Sequence, residues 1–305
     1  MKVAINKERS GWIIDQIVDD YCKHTRHQIV GLKDNPDVFW VANSFALPSL
    51  LPRIPNGCKT IVQLHHFVKE KLQNYPFNHY NKCFGLLVPN KITQHDIVRH
   101  IFQPVSRLPY WVLSSRMKPV NQQKVTELKA QVEDDEILIG SFQKDTEKNG
   151  GPKLEKGPDV FLNVITELNK THNIRVILSG YRRGYLTRNF DQRGVKYSYF
   201  EQYRDINDLY DLVDWCFVTS RVEGGPQAVL EASFRKTKVL STKVGIAPEV
   251  LHPECLCDSV EEFCKKFAQD LDRIDYNYNN VAKNYVPEVV IPCYDDFWEK
   301  VCNPK

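Results

Sequence analysis

Short apolar runs alternate with amphipathic helical patterns along most of this chain, in two successive blocks, and that alternation is how a parallel α/β sheet is written. In the first block, apolar stretches at residues 2–6, 27–32, 37–42, 60–66 and 84–90 read as strands. After the first of them, Trp12, Ile13, Ile17 and Val18 recur at helical spacing, and a further helix is expected over residues 93–102. The second block opens with the charged helical run "QQKVTELKAQV" and continues with strands at residues 136–142, 174–180 and 215–220. Between these lie helices whose faces carry Val160, Phe161, Val164, Ile165 and Leu168, then "INDLYDLVD"; a later one is "VEEFCKKFAQDLDRI".

A length of 305 residues exceeds what one core usually organises, so two domains are expected. The proline-bearing segment "VSRLPYWVLSSRMKPVN" ends the first periodicity and places a linker near residues 112–122. The division is therefore 1–115, 116–285, and a C-terminal helical segment 286–305 for which packing against either domain, including back onto the first, is open. Net charge is +3, from 41 basic and 38 acidic residues that are dispersed rather than blocked, which argues against a nucleic-acid partner. No apolar run reaches the length of a membrane span and "MKVAINKERSG" is not a signal peptide, so a cytoplasmic protein is expected, with peripheral membrane contact left open. The nine scattered cysteines lack paired spacing and read as reduced structural thiols.

Chemistry concentrates in "SRVEGGPQAVLEAS", residues 220–233. Pro226 favours the first turn of a helix, so an apolar strand, the Gly224-Gly225 loop and a helix follow one another, and such a helix start offers backbone N–H groups to an anion. Glu223 sits on the loop and Glu231 inside the helix, eight residues and about 12 Å apart if the span were all helical, too far for an adjacent acid/base pair. Carboxylates accept hydrogen bonds from sugar and ribose hydroxyls, while phosphates take N–H groups and cations. Such a pair suits a nucleotide sugar, although spacing alone also allows a solvated loop acid and an exposed helical one. The loop "GSFQKDTEKNGGPKLEKGPD" adds Lys144, Lys153 and Lys156 before a helix with Pro158 and Asp159 at its start, and such lysines can neutralise a diphosphate.

Taken together, "GSFQKDTE…KGPDVF" and "TSRVEGGPQAVLEAS…VGIAPEVL" resemble the nucleotide-binding half of a GT-B glycosyltransferase of the GT4 type (group 1). Glu223 to Glu231 matches that family's E-x7-E signature; the first block resembles the family only in layout. The resemblance implies two Rossmann-like domains with parallel sheets facing across a central cleft, and a retaining, metal-independent, hexosyltransferase-like enzyme with no cofactor. It would move a sugar from a nucleotide-diphosphate donor to a glycan, lipid or small-molecule hydroxyl. Glu231 would bind the donor ribose, Glu223 the transferred sugar, and Lys144 and Lys156 the diphosphate, with Gly224 and Gly225 opening the helix end and Phe200 and Tyr203 beside the base. Departures from the family pattern at Gly225, at Lys144 and in "RKTK" leave donor identity undecided.

In the first block, Ser10 and Gly11 occupy the position of the acceptor-side glycine loop, where an ordinary turn is equally consistent. His65 and His66 end a strand at the carboxyl edge where ligands of open α/β sheets lie, so either is a candidate for hydrogen bonding to sugar or for moving a proton, His66 the more favoured. The single D-x-D, Asp270 and Asp272, falls in a helical pattern and reads as a solvated face rather than a metal site. A nucleotide-sugar epimerase on the same fold and a non-catalytic sugar-nucleotide-binding protein are the alternative functions.

Overall fold

The inner strands are buried on both faces, which is why they are nearly continuous in apolar residues rather than alternating, whereas strands at the sheet edges stay partly exposed. The computed structural model describes residues 1–7, 13–201, 203 and 205–303. The chain divides into two compact units, Met1–Ser114 with the segment from Lys283 onward, and Ser115–Ala282. Among the described residues, no helix is long and apolar enough to cross a membrane.

The first unit holds β1 (Lys2–Asn6), β2 (Gln28–Val30), β3 (Val38–Val41), β4 (Lys59–Gln63), β5 (Gly85–Val88) and β6 (Val105–Arg107). They pair in the order β2-β1-β3-β4-β5-β6, every pair parallel. The order reverses between β1 and β3, so the strand ends diverge there and leave a crevice at their carboxyl edge. One face buries Phe39, Val62, Leu86, Val88 and Ile97.

The C-terminal helix Pro287–Cys302 is tied into this unit by buried polar contacts. Asp295, 2% exposed, accepts from Tyr21 Oη at 2.8 Å, Thr25 Oγ1 at 2.6 Å and the Arg26 amide at 3.0 Å. Trp298 Nε1 donates to Tyr21 Oη at 2.9 Å, and Trp40 packs against Tyr21, Tyr294 and Trp298 with centroids 5.3–5.8 Å apart. Burial of the Tyr21 ring pushes its hydroxyl far above the ordinary value, so it stays protonated and can donate to Asp295.

The second unit holds β7 (Ile137–Ser141), β8 (Ile174–Ser179), β9 (Lys196–Phe200), β10 (Trp215–Val218), β11 (Lys238–Thr242) and β12 (Leu256–Cys257), in the all-parallel order β12-β11-β10-β7-β8-β9. This is the doubly wound order of dinucleotide-binding sheets, with its reversal between β7 and β10. On β8, Ile174, Val176 and Leu178 face one layer with Phe161, Phe190 and Phe263, while Ile177 faces Leu128, Leu209 and Leu212 on the other.

Three local expectations change. The helix expected over 93–102 is Lys91–Ile97: Asn90 caps it by accepting from the Thr93 amide at 2.7 Å, and Phe102, 93% exposed, has no core face to join. Pro226 is the N-cap of the helix Gln227–Phe234 rather than part of its first turn, because its ψ of 101° is still extended. The helix Val260–Ala268 stops before the D-x-D. Asp270 turns the chain at φ 45° and pairs with Lys238 at 2.5 Å, and Asp272 accepts from the Ile274 amide at 2.9 Å to start the next helix.

Replacing Asp295 by alanine removes the acceptor of the Tyr21 hydroxyl and of the Arg26 amide, and leaves the Thr25 hydroxyl only Tyr21 Oη, 2.9 Å away. We expect a loss of about 3 kcal/mol in urea unfolding, with Asp295→Asn, which keeps an acceptor, losing less.

Candidate functional site

The second unit gathers its chemistry at the reversal between β7 and β10. The loop after β7 returns to the helix Pro158–Leu168 through Gly157, whose φ is +58° and whose missing Cβ would lie 1.9 Å from the Thr219 carbonyl oxygen. Only glycine supplies both the left-handed conformation and that approach. Further bonds stitch the two loops together. Thr219 Oγ1 donates to the Gly157 carbonyl at 2.9 Å, and the amides of Arg221 and Val222 donate to the Glu155 carbonyl at 2.9 and 3.1 Å. Arg221 grips Asp159 bidentately at 2.7 and 2.6 Å, which holds that carboxyl below its ordinary range. Gly245, φ +52°, closes the third side: a Cβ there would lie 2.5 Å from the Gly224 carbonyl oxygen.

This close approach sets Lys156 Nζ 2.5 Å from Glu223 Oε1. The pair is mostly covered, with side chains 26% and 10% exposed. Ser220 Oγ lies 3.0 Å from the same Glu223 oxygen and 3.0 Å from Gln143 Oε1, while Gln143 Nε2 donates to the Lys156 carbonyl at 3.2 Å. Glu223, Lys156, Ser220 and Gln143 thus form one ring of contacts.

Glu231 is not exposed on its helix; it is 5% exposed, accepting from Tyr210 Oη at 3.0 Å and Arg116 Nε at 3.3 Å. Burial pushes its carboxyl above the ordinary value, and Arg116 and Tyr210 oppose that shift. Lys144, half-buried on the loop after β7, is pushed below its ordinary value by desolvation and then by the charges of Arg182 and Lys153, so several cations crowd one place. Gly224 is buried and Gly225 half-buried ahead of the helix. Phe200 ends β9, two strands from β7, with Tyr203 edge-on at 5.5 Å; Tyr203 donates to Asp208 at 3.0 Å.

In the first unit, His65 and His66 follow β4. His65 Nε2 lies 2.5 Å from the Ala42 carbonyl, which can only accept, so the proton is assigned to Nε2 and Nδ1 accepts from Tyr110 Oη. Burial lowers its pKa to about 4, so His65 stays neutral and both ring nitrogens are occupied. It is a strut beside the β1/β3 reversal, whereas His66 is the exposed ring of the two. Ser10 and Gly11 lie outside the described residues.

Sequence reasoning did not single out Gln143, Ser220, Tyr210 or Arg116. Three of them are uncharged, and Arg116 is one basic residue in a linker; none had a spacing signal of its own. The available signal was position: Gln143 and Ser220 each end or follow a central strand at its carboxyl edge.

Two outcomes follow. Gly157→Ala should cost more than about 2 kcal/mol in chemical unfolding, because the added methyl must push Thr219 away in a strained backbone. For His65, a folded pKa of about 4 against an ordinary 6.5 means that the unfolded chain takes up the proton first. Its contribution is full above about pH 6.5 and is lost as pH falls towards 4. The difference in unfolding free energy between wild type and His65→Gln should therefore shrink by roughly 3 kcal/mol from pH 7 to pH 4.

Residues 150–273 match the family model described as glycosyl transferases group 1. No curated protein matches the sequence. Among solved structures, the fold is similar to Anabaena Alr3699/HepE in complex with UDP and glucose, with a TM-score of 0.78 at 12% identity over 98% of this chain and 100% of that one. It is also similar to a glycosyltransferase from Rickettsia africae (TM-score 0.74, 12% identity, 100% and 99% covered). A third is the sucrose-phosphate synthase of Thermosynechococcus elongatus (TM-score 0.70, 10% identity, 94% and 77% covered). The segment 150–273, which holds Lys156, Glu223 and Glu231, matches the group 1 glycosyltransferase model, and the chain carrying it has the GT-B fold.

Proposed function

We propose that this protein transfers a sugar from a nucleoside diphosphate donor to an acceptor hydroxyl, with retention at the anomeric carbon and without a metal. The observation that carries this reading is the Lys156–Glu223 pair, held at the β7/β10 reversal by Gly157. An ammonium and a carboxylate side by side match the two halves of such a donor: the diphosphate takes the cation, and the sugar hydroxyls take the carboxylate. An arriving diphosphate competes for Lys156 and frees the Glu223 oxygen to accept from the sugar.

The cations around Lys144 supply further positive charge to the departing diphosphate, which is where negative charge grows as the glycosidic bond breaks. Glu223 then faces the positive charge that develops on the ring carbon and oxygen. Glu231, with two acceptor oxygens each using one partner, has lone pairs left for ribose hydroxyls. Phe200 and Tyr203 offer an aromatic edge for the base. A uridine diphosphate donor is favoured because the similar Anabaena protein has been solved with UDP-glucose. The acceptor is a hydroxyl on a glycan, a lipid or a small molecule.

A thermal-shift screen of UDP-, GDP-, ADP- and CMP-sugars should give its largest stabilisation with a UDP-sugar, followed by transfer assays with the stabilising donor. Glu223→Gln is expected to lower kcat about 100-fold or more with little change in Tm, and Lys156→Ala to raise the donor Kd at least about tenfold. Turnover should survive EDTA. Wild-type rates in Glu223→Gln would remove that residue from the mechanism, and conversion of the donor alone into an epimer would replace transfer by epimerisation.

A further inference from the structure

We propose that Arg183 is a positioning residue for this transfer, acting on Glu223 and Lys156 through Gln143 and Ser220. The inference rests on the reading of Glu223 and Lys156 as the donor grip.

Arg183 precedes the helix Gly184–Arg193 and is only 1% exposed. Its Nε donates to Asp145 Oδ2 at 2.6 Å, Nη2 to Ser141 Oγ at 2.9 Å, and Nη1 to the Ser179 carbonyl at 3.1 Å and also to the Gln143 carbonyl. If Arg183 served only to keep the fold together, Asp145 alone would neutralise it, and an apolar pair of similar volume would do as well. The other bonds tie together the ends of β7 and β8 and the backbone of Gln143, the residue from which the side-chain ring of the site begins.

Gln143 is therefore held from behind by its carbonyl while its amide head works in front. Nε2 fixes the Lys156 carbonyl and Oε1 offers an acceptor to Ser220. Ser220 Oγ has one proton and two acceptors at the same 3.0 Å, Gln143 Oε1 and Glu223 Oε1. When the proton points to Gln143, the Glu223 oxygen keeps its lone pair for a donor hydroxyl; when it points to Glu223, that lone pair is spent. By fixing Gln143, Arg183 gives the Ser220 proton a place to go other than Glu223. A lysine cannot reproduce this arrangement, because it lacks the planar fork that reaches four acceptors at once.

The test is a double-mutant cycle on kcat with the donor identified by the screen. Gln143→Ala leaves the buried ion pair intact, and the double variant Arg183→Met/Asp145→Asn removes both charges together, so that neither leaves an unpaired buried ion. Each should lower kcat about 10- to 100-fold in the wild-type background, the scale expected for misplaced catalytic groups, and less than about threefold when Glu223 is already glutamine. Arg183→Lys should not rescue. Equal losses in both backgrounds, or a drop in Tm that accounts for the whole effect, would overturn the proposal. Hydrogen exchange of ligand-free protein gives a second readout: amides in residues 143–156 and 220–223 should exchange faster in the Arg183 variant, while those of β11 do not. If the wild type transfers no sugar yet these amides loosen, the donor reading fails and the hold of Arg183 on the loops stands. If the wild type transfers sugar and these amides do not respond, it is the Arg183 inference that fails.

Discussion

The contact between the Gly157 backbone and the Thr219 carbonyl governs the second unit. Strands β7 and β10 are neighbours, yet their helices leave towards opposite faces of the sheet, and a crevice opens where they part. Without a side chain at residue 157, the loop after β7 can lie directly on the end of β10. The ring of Lys156, Glu223, Ser220 and Gln143 depends on that approach. It brings Lys156 to Glu223, lets the amides of Arg221 and Val222 use the Glu155 carbonyl, and puts Gln143 within reach of Ser220. The positive φ and the close approach require the same residue type, so two independent constraints coincide at one position.

The charges around this crevice are arranged in two depths. Near the surface, Arg221–Asp159 ties a loop to a helix start and Lys156–Glu223 bridges two loops, and a ligand can exchange with a partly covered pair. Deeper, Arg183–Asp145 is nearly solvent-free, and every donor the guanidinium uses ends on an acceptor of the strand ends or the loop. A pair of that kind adds little to net stability compared with an apolar replacement, because desolvation offsets its attraction. What it supplies is a unique arrangement of the loop it holds, since any other arrangement strands a buried charge.

Much of the fold was legible in the sequence for a simple reason: parallel strands covered on both faces are written as apolar runs, and their connecting helices as 3.6-residue periodicity. Strand order was not legible, because it depends on crossovers rather than on local pattern. Helix ends were missed where a cap or a turn decided them, as at Asn90, Pro226 and Asp270. At the site, the charged residues stood out in "SRVEGGPQAVLEAS" and in the lysine-rich loop. The residues that orient them did not, because an uncharged Gln143 or Ser220 looks like any loop residue until its partner, distant in sequence, is beside it. The same holds for His65: in sequence it is one of two adjacent histidines, and only Ala42 and Tyr110 reveal that its ring nitrogens are already engaged.

Glu231 shows how burial changes the meaning of a motif acid. An exposed helical carboxylate would need no partner, whereas one that is 5% exposed must be compensated within the fold. Arg116 and Tyr210 do this from two different segments, and burial keeps the Tyr210 hydroxyl protonated, far above its ordinary value, so that it remains a donor. Each carboxylate oxygen thereby spends one acceptor site and retains another. On the proposed reading, ribose hydroxyls would add to these bonds rather than break them, and the carboxylate would already be oriented before they arrive. Pre-oriented acceptors bind with less ordering cost than mobile ones. Arg116 lies two residues beyond Ser114, where the first unit ends, so the residue that steadies Glu231 also belongs to the short segment by which the chain enters the second unit. A substitution that removed Arg116 would thus expose Glu231 to the full desolvation cost of a buried, half-compensated charge and loosen that segment together, which is why a linker arginine belongs with the candidate site.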